Sequence, residues 1–345
     1  MTAEHLLDGK YQDYLTEKWS SDFIGNRFLR KIRNQFLFSL FHVSPNTNVC
    51  IGADGYLFEP MYILFELQYY PPSSDSYFSA LEEKLAQLDG LLRENGKELY
   101  VFITPSKARY YRDFIPLNLR PLDMTSEYDY TNHSRLIETL EEADIRFFDS
   151  VDFIDRNLKE ERFVSPVFYK SGIHWNHVWG VSAAAEFVSY MNKNSAFSFP
   201  AVTVSERLTD TPVAPDADLY ESLNLLTHPN ETWYDAEIAV EESDAQRPNV
   251  FLRGGSFMGQ SLDALVQSGL FGKDVHLENN YYFTDRYSNQ VNISSYTSYD
   301  EMDLNTLLAQ SDILILEVNE AAIYTMSFGF IDYLLEHPDY LDGVA

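Results

Sequence analysis

Apolar and polar positions along the chain alternate between two periods, and their order predicts the fold. From Tyr11 to Val43 apolar residues recur near helical spacing, which predicts an amphipathic helix whose basic cluster, Arg27, Arg30, Lys31 and Arg33, faces solvent. The segment VCIGADGYLFEP reads as strand, Asp-Gly turn and strand. From Phe78 the pattern becomes α/β. YFSALEEKLAQLDGLLREN is an amphipathic helix stopped by Gly96, and the strand ELYVFITP follows. SRLIETLEEA, a second helix, leads into the short strand IRFFDS; a third, WNHVWGVSAAAEFVSYMN, follows FVSPVFYKSGIH. Beyond the polar, irregular stretch Asn192 to Pro248 come the buried strand NVFLRGGS, the helix FMGQSLDALVQSGLF and the buried strand SDILILEVNE. Ala321 to Leu335, interrupted by Asp332, reads as a core helix.

Short, continuously apolar strands separated by helices predict a mostly parallel sheet covered on both faces, a three-layer α/β/α fold. The expected organisation is an N-terminal helical segment over 1–45 and one α/β domain over 46–345, with an insertion around 192–248. Phe197, Phe199, Trp233 and Tyr234 make that insertion a packed one rather than a linker.

Charge narrows the function. The 345 residues hold 25 Lys and Arg against 53 Asp and Glu, a net −28, and such a field repels phosphate backbones and anionic lipid. Nucleic acid is therefore not an expected partner. One cysteine, Cys50, leaves no intrachain disulfide and no thiolate cluster. No stretch reaches the roughly 18 apolar residues of a spanning helix. The start, MTAEHLLDGK, has neither a basic n-region nor an apolar h-region, so the expectation is a cytosolic protein or one whose signal or anchor precedes it.

The chemistry concentrates at NVFLRGGSFMGQSL. Two glycines before a serine at a strand-to-helix junction permit a tight turn that lifts the Ser256 hydroxyl above the sheet edge. Helix N–H groups beyond it face a developing oxyanion. Serine also favours the N-cap, so Ser256 reads as nucleophile or as cap. Of eight histidines, His5, His42 and His337 lie in terminal or basic segments, His228 and His276 in polar, loop-like contexts, and His133 at a helix start. His174 and His177, in SGIHWNHVWG, enter a helix beside Trp175 and Trp179. Their spacing would suit a metal pair, but no third ligand is evident, so neither a metal nor a cofactor is expected.

Taken in order, GADGYLF, VFITPSKARYY, the His-Trp pair, ADLYESLNLL, Gly-Ser-Phe after a buried strand and DILILEVNE resemble the alginate O-acetyltransferase family of AlgJ and AlgX type, over about residues 5 to 335. The resemblance implies an SGNH-hydrolase-like domain in which histidine precedes serine. It carries over Ser256 and His174 as the catalytic pair. It implies acetyl transfer to an extracellular polysaccharide through an acetyl-serine, or the related esterase reaction. Export to the periplasmic or extracellular face, a membrane anchor and a membrane-bound acyltransferase supplying acetyl groups follow from the same resemblance.

Two acidic positions of the family pattern are glycines here. Asp-Thr-His-Trp becomes Gly172-Ile173-His174-Trp175, and Gly-Asp-Ser-Phe becomes Gly254-Gly255-Ser256-Phe257. Three readings stay open: a carboxylate from elsewhere (Glu317 and Glu320 are the candidates), a Ser-His dyad held by a backbone carbonyl, or a degenerate site that binds glycan or scaffolds exopolysaccharide assembly. Gly255, Asn279, Tyr282 and Arg286 are candidate contacts to an oxyanion or a sugar hydroxyl.

Overall fold

The computed structural model describes residues 24–242, 247–287 and 290–341. A small antiparallel pair, β1 (Cys50–Ile51) and β2 (Leu57–Phe58), closes over the Asp54-Gly55 turn. The central sheet comprises β3 (Glu98–Thr104) and β4 (Phe147–Asp149), then, beyond the separate hairpin of β5 (Val202–Thr209) and β6 (Trp233–Val240), β7 (Val250–Gly254), β8 (Asp274–Glu278), β9 (Tyr282–Tyr287), β10 (Gln290–Ser295) and β11 (Ile313–Asn319). Their spatial order is β10-β9-β8-β7-β11-β3-β4, parallel from β8 to β4 and antiparallel at β9 and β10.

Alternation along the buried strands builds two cores. Tyr100, Phe102, Leu252 and Ile315 face the helices His177–Asn194 and Gly259–Gln267. Leu99, Val101, Phe251 and Leu316 face Asp75–Glu94, Asn132–Glu142 and Phe330–Glu336. The fold is thus the three-layer α/β/α arrangement with a mostly parallel sheet.

Several elements differ from the sequence expectation. The stretch 192–248 carries the β5–β6 hairpin, and its strands alternate half-buried and exposed positions, a pattern its charged residues conceal. Ala321–Leu335 is not one helix. Residues 323–329 form an irregular turn in which Ser327 and Phe328 adopt left-handed φ values of 59° and 50°, and the helix begins only at Phe330. The turn is held from outside, because the Phe328 carbonyl accepts from the Tyr299 hydroxyl at 2.8 Å. In turn the buried Arg253 donates to that hydroxyl oxygen at 3.1 and 3.0 Å.

Of the expected N-terminal helix, Ile24–Phe41 is described, and Tyr11 to Phe23 lies outside the described residues. It docks on the segment around residue 223: Asn34 donates to the Leu223 carbonyl, and Gln35 accepts from the Leu226 and Thr227 N–H groups. Among the described residues no helix is long and apolar enough to cross a membrane.

Candidate active site

Parallel β7 and β11 end side by side, and their carboxyl edge is where open α/β sheets bind ligands. Two residues past β7, Ser256 sits in the turn before the helix Gly259–Gln267. Its hydroxyl lies 2.6 Å from His174 Nε2. His174 comes from the loop preceding the helix His177–Asn194, where Asn176 caps the Trp179 N–H. The loop is pinned from beneath by Lys107, whose buried ammonium donates to the carbonyls of Leu57, Tyr169, Lys170 and Gly172 at 2.6 to 2.9 Å. Burial pushes its pKa down to about 7. Trp175 Nε1 donates to the Phe257 carbonyl at 2.6 Å, tying the histidine loop to the serine turn.

The carboxylate against His174 is neither of the two glutamates expected from sequence. Asp218 Oδ2 stands 2.7 Å from His174 Nδ1, and its Oδ1 accepts from the Ile173 N–H at 2.8 Å. Asp218 opens the short helix Asp218–Ser222, inside the stretch 192–248. Glu317 instead accepts from the Gly255 N–H at 2.6 Å and the Thr104 hydroxyl at 2.5 Å. Glu320 accepts from the Ser106 N–H at 2.8 Å and pairs with Arg109 at 3.2 Å. Both are buried, and burial raises the pKa of each, that of Glu320 to about 7.

Gly172 accounts for this exchange of acids. A Cβ at Gly172 would collide with the Asp216 carbonyl oxygen and come within 3.5 Å of Asp218 Oδ1. The backbone of 216–218 therefore occupies the space a side chain at 172 would need. At Gly254 a Cβ would meet Glu317 Oε2 at 2.5 Å, and at Gly255 one would meet the same oxygen at 3.5 Å. Of the two positions where the family pattern has an aspartate, Gly172 thus makes room for the segment that delivers Asp218, whereas at Gly255 a Cβ would make only ordinary contact with Glu317. Asp218 would have been found from ADLYESLNLL read together with the space left at 172. Composition and spacing alone carry no such signal.

The remaining candidates separate. Asn279 lines a cavity of about 300 Å³ together with Ser256, Gly255 and Glu317. The Gly255 N–H is already given to Glu317, whereas the Ser256 N–H has no acceptor among the described residues. Arg286 is not at the mouth: it is buried on β9 and paired with Asp274 at 2.5 Å. Tyr282 is half-buried on β9 and does not line this cavity.

His276, expected in a loop, is buried in β8, and burial drops its pKa to about 3. It is therefore neutral, and its Nε2–H donates to the Gly255 carbonyl at 2.9 Å. His177 turns away from His174 to Asp235, at 2.8 Å. Among the described residues no three His, Cys, Asp or Glu converge as a metal site would need.

The family described as SGNH hydrolase-like domain, acetyltransferase AlgX matches residues 49–262, a span that contains Ser256, His174 and Asp218. The chain belongs to this family. No curated protein matches it in sequence. Three solved structures are similar to it. The O-acetyltransferase domain of Pseudomonas putida AlgJ shares 15% identity over 84% of this chain and 99% of its own, with a TM-score of 0.47. Pseudomonas aeruginosa AlgX shares 15% over 82% of this chain and 66% of its own, at 0.46. Bacillus cereus PatB1 shares 10% over 80% and 96%, at 0.47.

Proposed function

We propose that the protein is a serine-dependent O-acetyltransferase acting on hydroxyl groups of an extracellular polysaccharide, with Ser256 as nucleophile, His174 as general base and Asp218 as the orienting acid. The relay Ser256 Oγ, His174 Nε2, His174 Nδ1 and Asp218 Oδ2, with gaps of 2.6 and 2.7 Å, carries this reading. Membership of an acetyltransferase family supports the same chemistry.

In the first half-reaction Ser256 Oγ attacks the acetyl carbonyl and its proton passes to His174 Nε2. Asp218 keeps the other proton on Nδ1 and stabilises the imidazolium. The Ser256 N–H and the Asn279 amide are the donors available to the oxyanion. Collapse expels the donor's leaving group, which takes the proton from Nε2 and leaves acetyl-Ser256. In the second half a sugar hydroxyl gives its proton to Nε2 and attacks the ester, releasing the acetylated sugar and free Ser256. The same reading places the site outside the cytoplasmic membrane, the protein anchored there, with a membrane-bound acyltransferase as the source of acetyl groups.

Incubation with p-nitrophenyl acetate tests it. We expect intact-mass analysis to show one added acetyl group, mapped to Ser256, and none in Ser256→Ala. Equal p-nitrophenol release from the wild type and Ser256→Ala would overturn the proposal.

A further inference from the structure

A row of aromatic rings leads away from the wall of the cavity at Ser256. Tyr62, Tyr324 and Phe328 are in its wall. Tyr324 stacks on Phe65, with centroids 4.9 Å apart and planes at 24°. Phe65 meets Tyr70 at 5.0 Å, and Tyr70 meets Tyr69 at 5.7 Å. Tyr324, Tyr70 and Tyr69 are 42%, 43% and 48% exposed, so the row presents ring surface to solvent instead of filling the core. At its far end Phe65 and Tyr70 help line a second recess of about 60 Å³, whose polar groups include Gln68, Asn132, Arg109 and Glu320.

Charge around this track is one-sided. Among the described residues Arg109 is the one lysine or arginine in either lining, and Glu320 holds it at 3.2 Å. Arg112, bound to Glu66 of the second recess at 2.8 Å, is also bound to Asp123 at 2.5 Å. His133, also in that recess, faces Asp149 at 3.1 Å. Every one of these cations is thus held by a carboxylate, in a molecule of net charge −28. A sugar carboxylate on this track would find no free cation to replace its water and would meet a repulsive field. A pyranose without acidic groups needs neither: its C–H face lies against a ring, and its hydroxyls reach amide and carboxylate oxygens at the edges.

We propose that the row from Tyr324 through Phe65 to Tyr70 is the acceptor platform, and that it takes a glycan carrying no acidic groups, neutral or amine-bearing. This rests on the acetyl-transfer reading above and adds the substrate class to it.

The test measures binding to Ser256→Ala by calorimetry at low salt, with cellohexaose, a glucosamine hexasaccharide and a mannuronate hexasaccharide as probes. Cellohexaose or the glucosamine oligomer should bind at least about tenfold more tightly than the mannuronate oligomer, and the tighter of the two identifies the acceptor as neutral or amine-bearing. Tyr324→Ala in the same background should weaken that binding about fivefold or more. Tyr324 is exposed enough to be truncated without opening the core. Mannuronate binding as tight as the other two, no binding of either non-acidic probe, or affinities indifferent to Tyr324→Ala would each overturn the proposal. Because Ser256 is already removed, failure here leaves acetyl-enzyme formation untouched, and failure of acetyl-enzyme formation leaves these affinities standing.

Discussion

Asp218 and Gly172 form a coupled pair: one supplies the carboxylate, and the other leaves the space for the backbone that carries it. Asp218→Asn should lower the rate of acetyl-enzyme formation by about 10² to 10⁴, because the amide can hold the wrong imidazole tautomer and cannot stabilise the imidazolium. Stopped-flow release of p-nitrophenol measures this, and a loss under about threefold would remove Asp218 from the relay. Gly172→Asp restores the family pattern and should still lose activity. Its Cβ collides with the Asp216 carbonyl, and its carboxylate would lie beside Asp218. Overpacking of this kind costs about 1 to 3 kcal/mol, so the urea midpoint should fall as well. An increase in rate on Gly172→Asp would show instead that the family's own acid position is still usable. The contact of Ser256 with His174 was legible because local motifs announce both residues: glycines before a serine, and a histidine beside a tryptophan at a helix start. Asp218 was not, because it reaches His174 across 44 positions of sequence through a tertiary contact. The glutamates expected in its place lie on or just past β11, near enough to suggest the role, but they are turned to the Gly255 and Ser106 N–H groups.

At the scale of elements, the loop leading into the helix Asp218–Ser222 is held at two points, and one of them titrates. Asp218 accepts from Ile173 N–H, and Asp216 Oδ1 accepts from His177 N–H at 3.2 Å. Asp216 is buried, its Oδ2 has no partner, and burial, with Asp235, Asp218 and Glu231 close by, pushes its pKa up to about 8. The unfolded chain releases this proton near pH 4 and the folded chain near pH 8, so between them the native state binds more protons. Stability from this group is therefore greatest at low pH and is lost as pH rises from about 4 to 8. Asp216→Asn keeps the acceptor for His177 and removes the titration. Relative to wild type it should gain at least about 1 kcal/mol between pH 4 and 8, read from urea midpoints across a pH series. Parallel curves for the two proteins would show that Asp216 is ionised in the folded state. The hairpin β5–β6 next to this loop was missed in the sequence because half of each strand faces water and carries charge, whereas β3, β7 and β11, buried on both faces, are continuous apolar runs that announce themselves. The turn at 323–329 departs from the helix expected over Ala321–Leu335 for a related reason. Its composition is helical and apolar, but Tyr299 and Arg253, distant in sequence, fix its backbone.

Across the whole molecule the excess of carboxylates acts as a single field. Ion pairs such as Arg286–Asp274 are buried and little affected by ions in solution, while most of the net −28 is carried on the surface and repels itself. Raising salt from about 10 to 100 mM shortens the screening length from about 30 to about 10 Å, which weakens surface repulsion and leaves the buried pairs intact. The melting temperature should therefore rise with sodium chloride over this range, by about 1 to 2 °C for each kcal/mol of repulsion relieved in a chain of 345 residues. Salt is the cleaner lever here than acid, because lowering the pH from about 8 towards about 4 would also add the stabilisation that comes from the proton Asp216 holds only in the folded chain. Potassium chloride should give the same rise at equal ionic strength, since screening depends on charge and concentration and not on the identity of the cation. Differential scanning calorimetry in the two salts decides the matter. A melting temperature that falls with either salt would mean that attractive surface pairs such as Lys84–Asp332 and Arg156–Asp152 outweigh the excess of carboxylates.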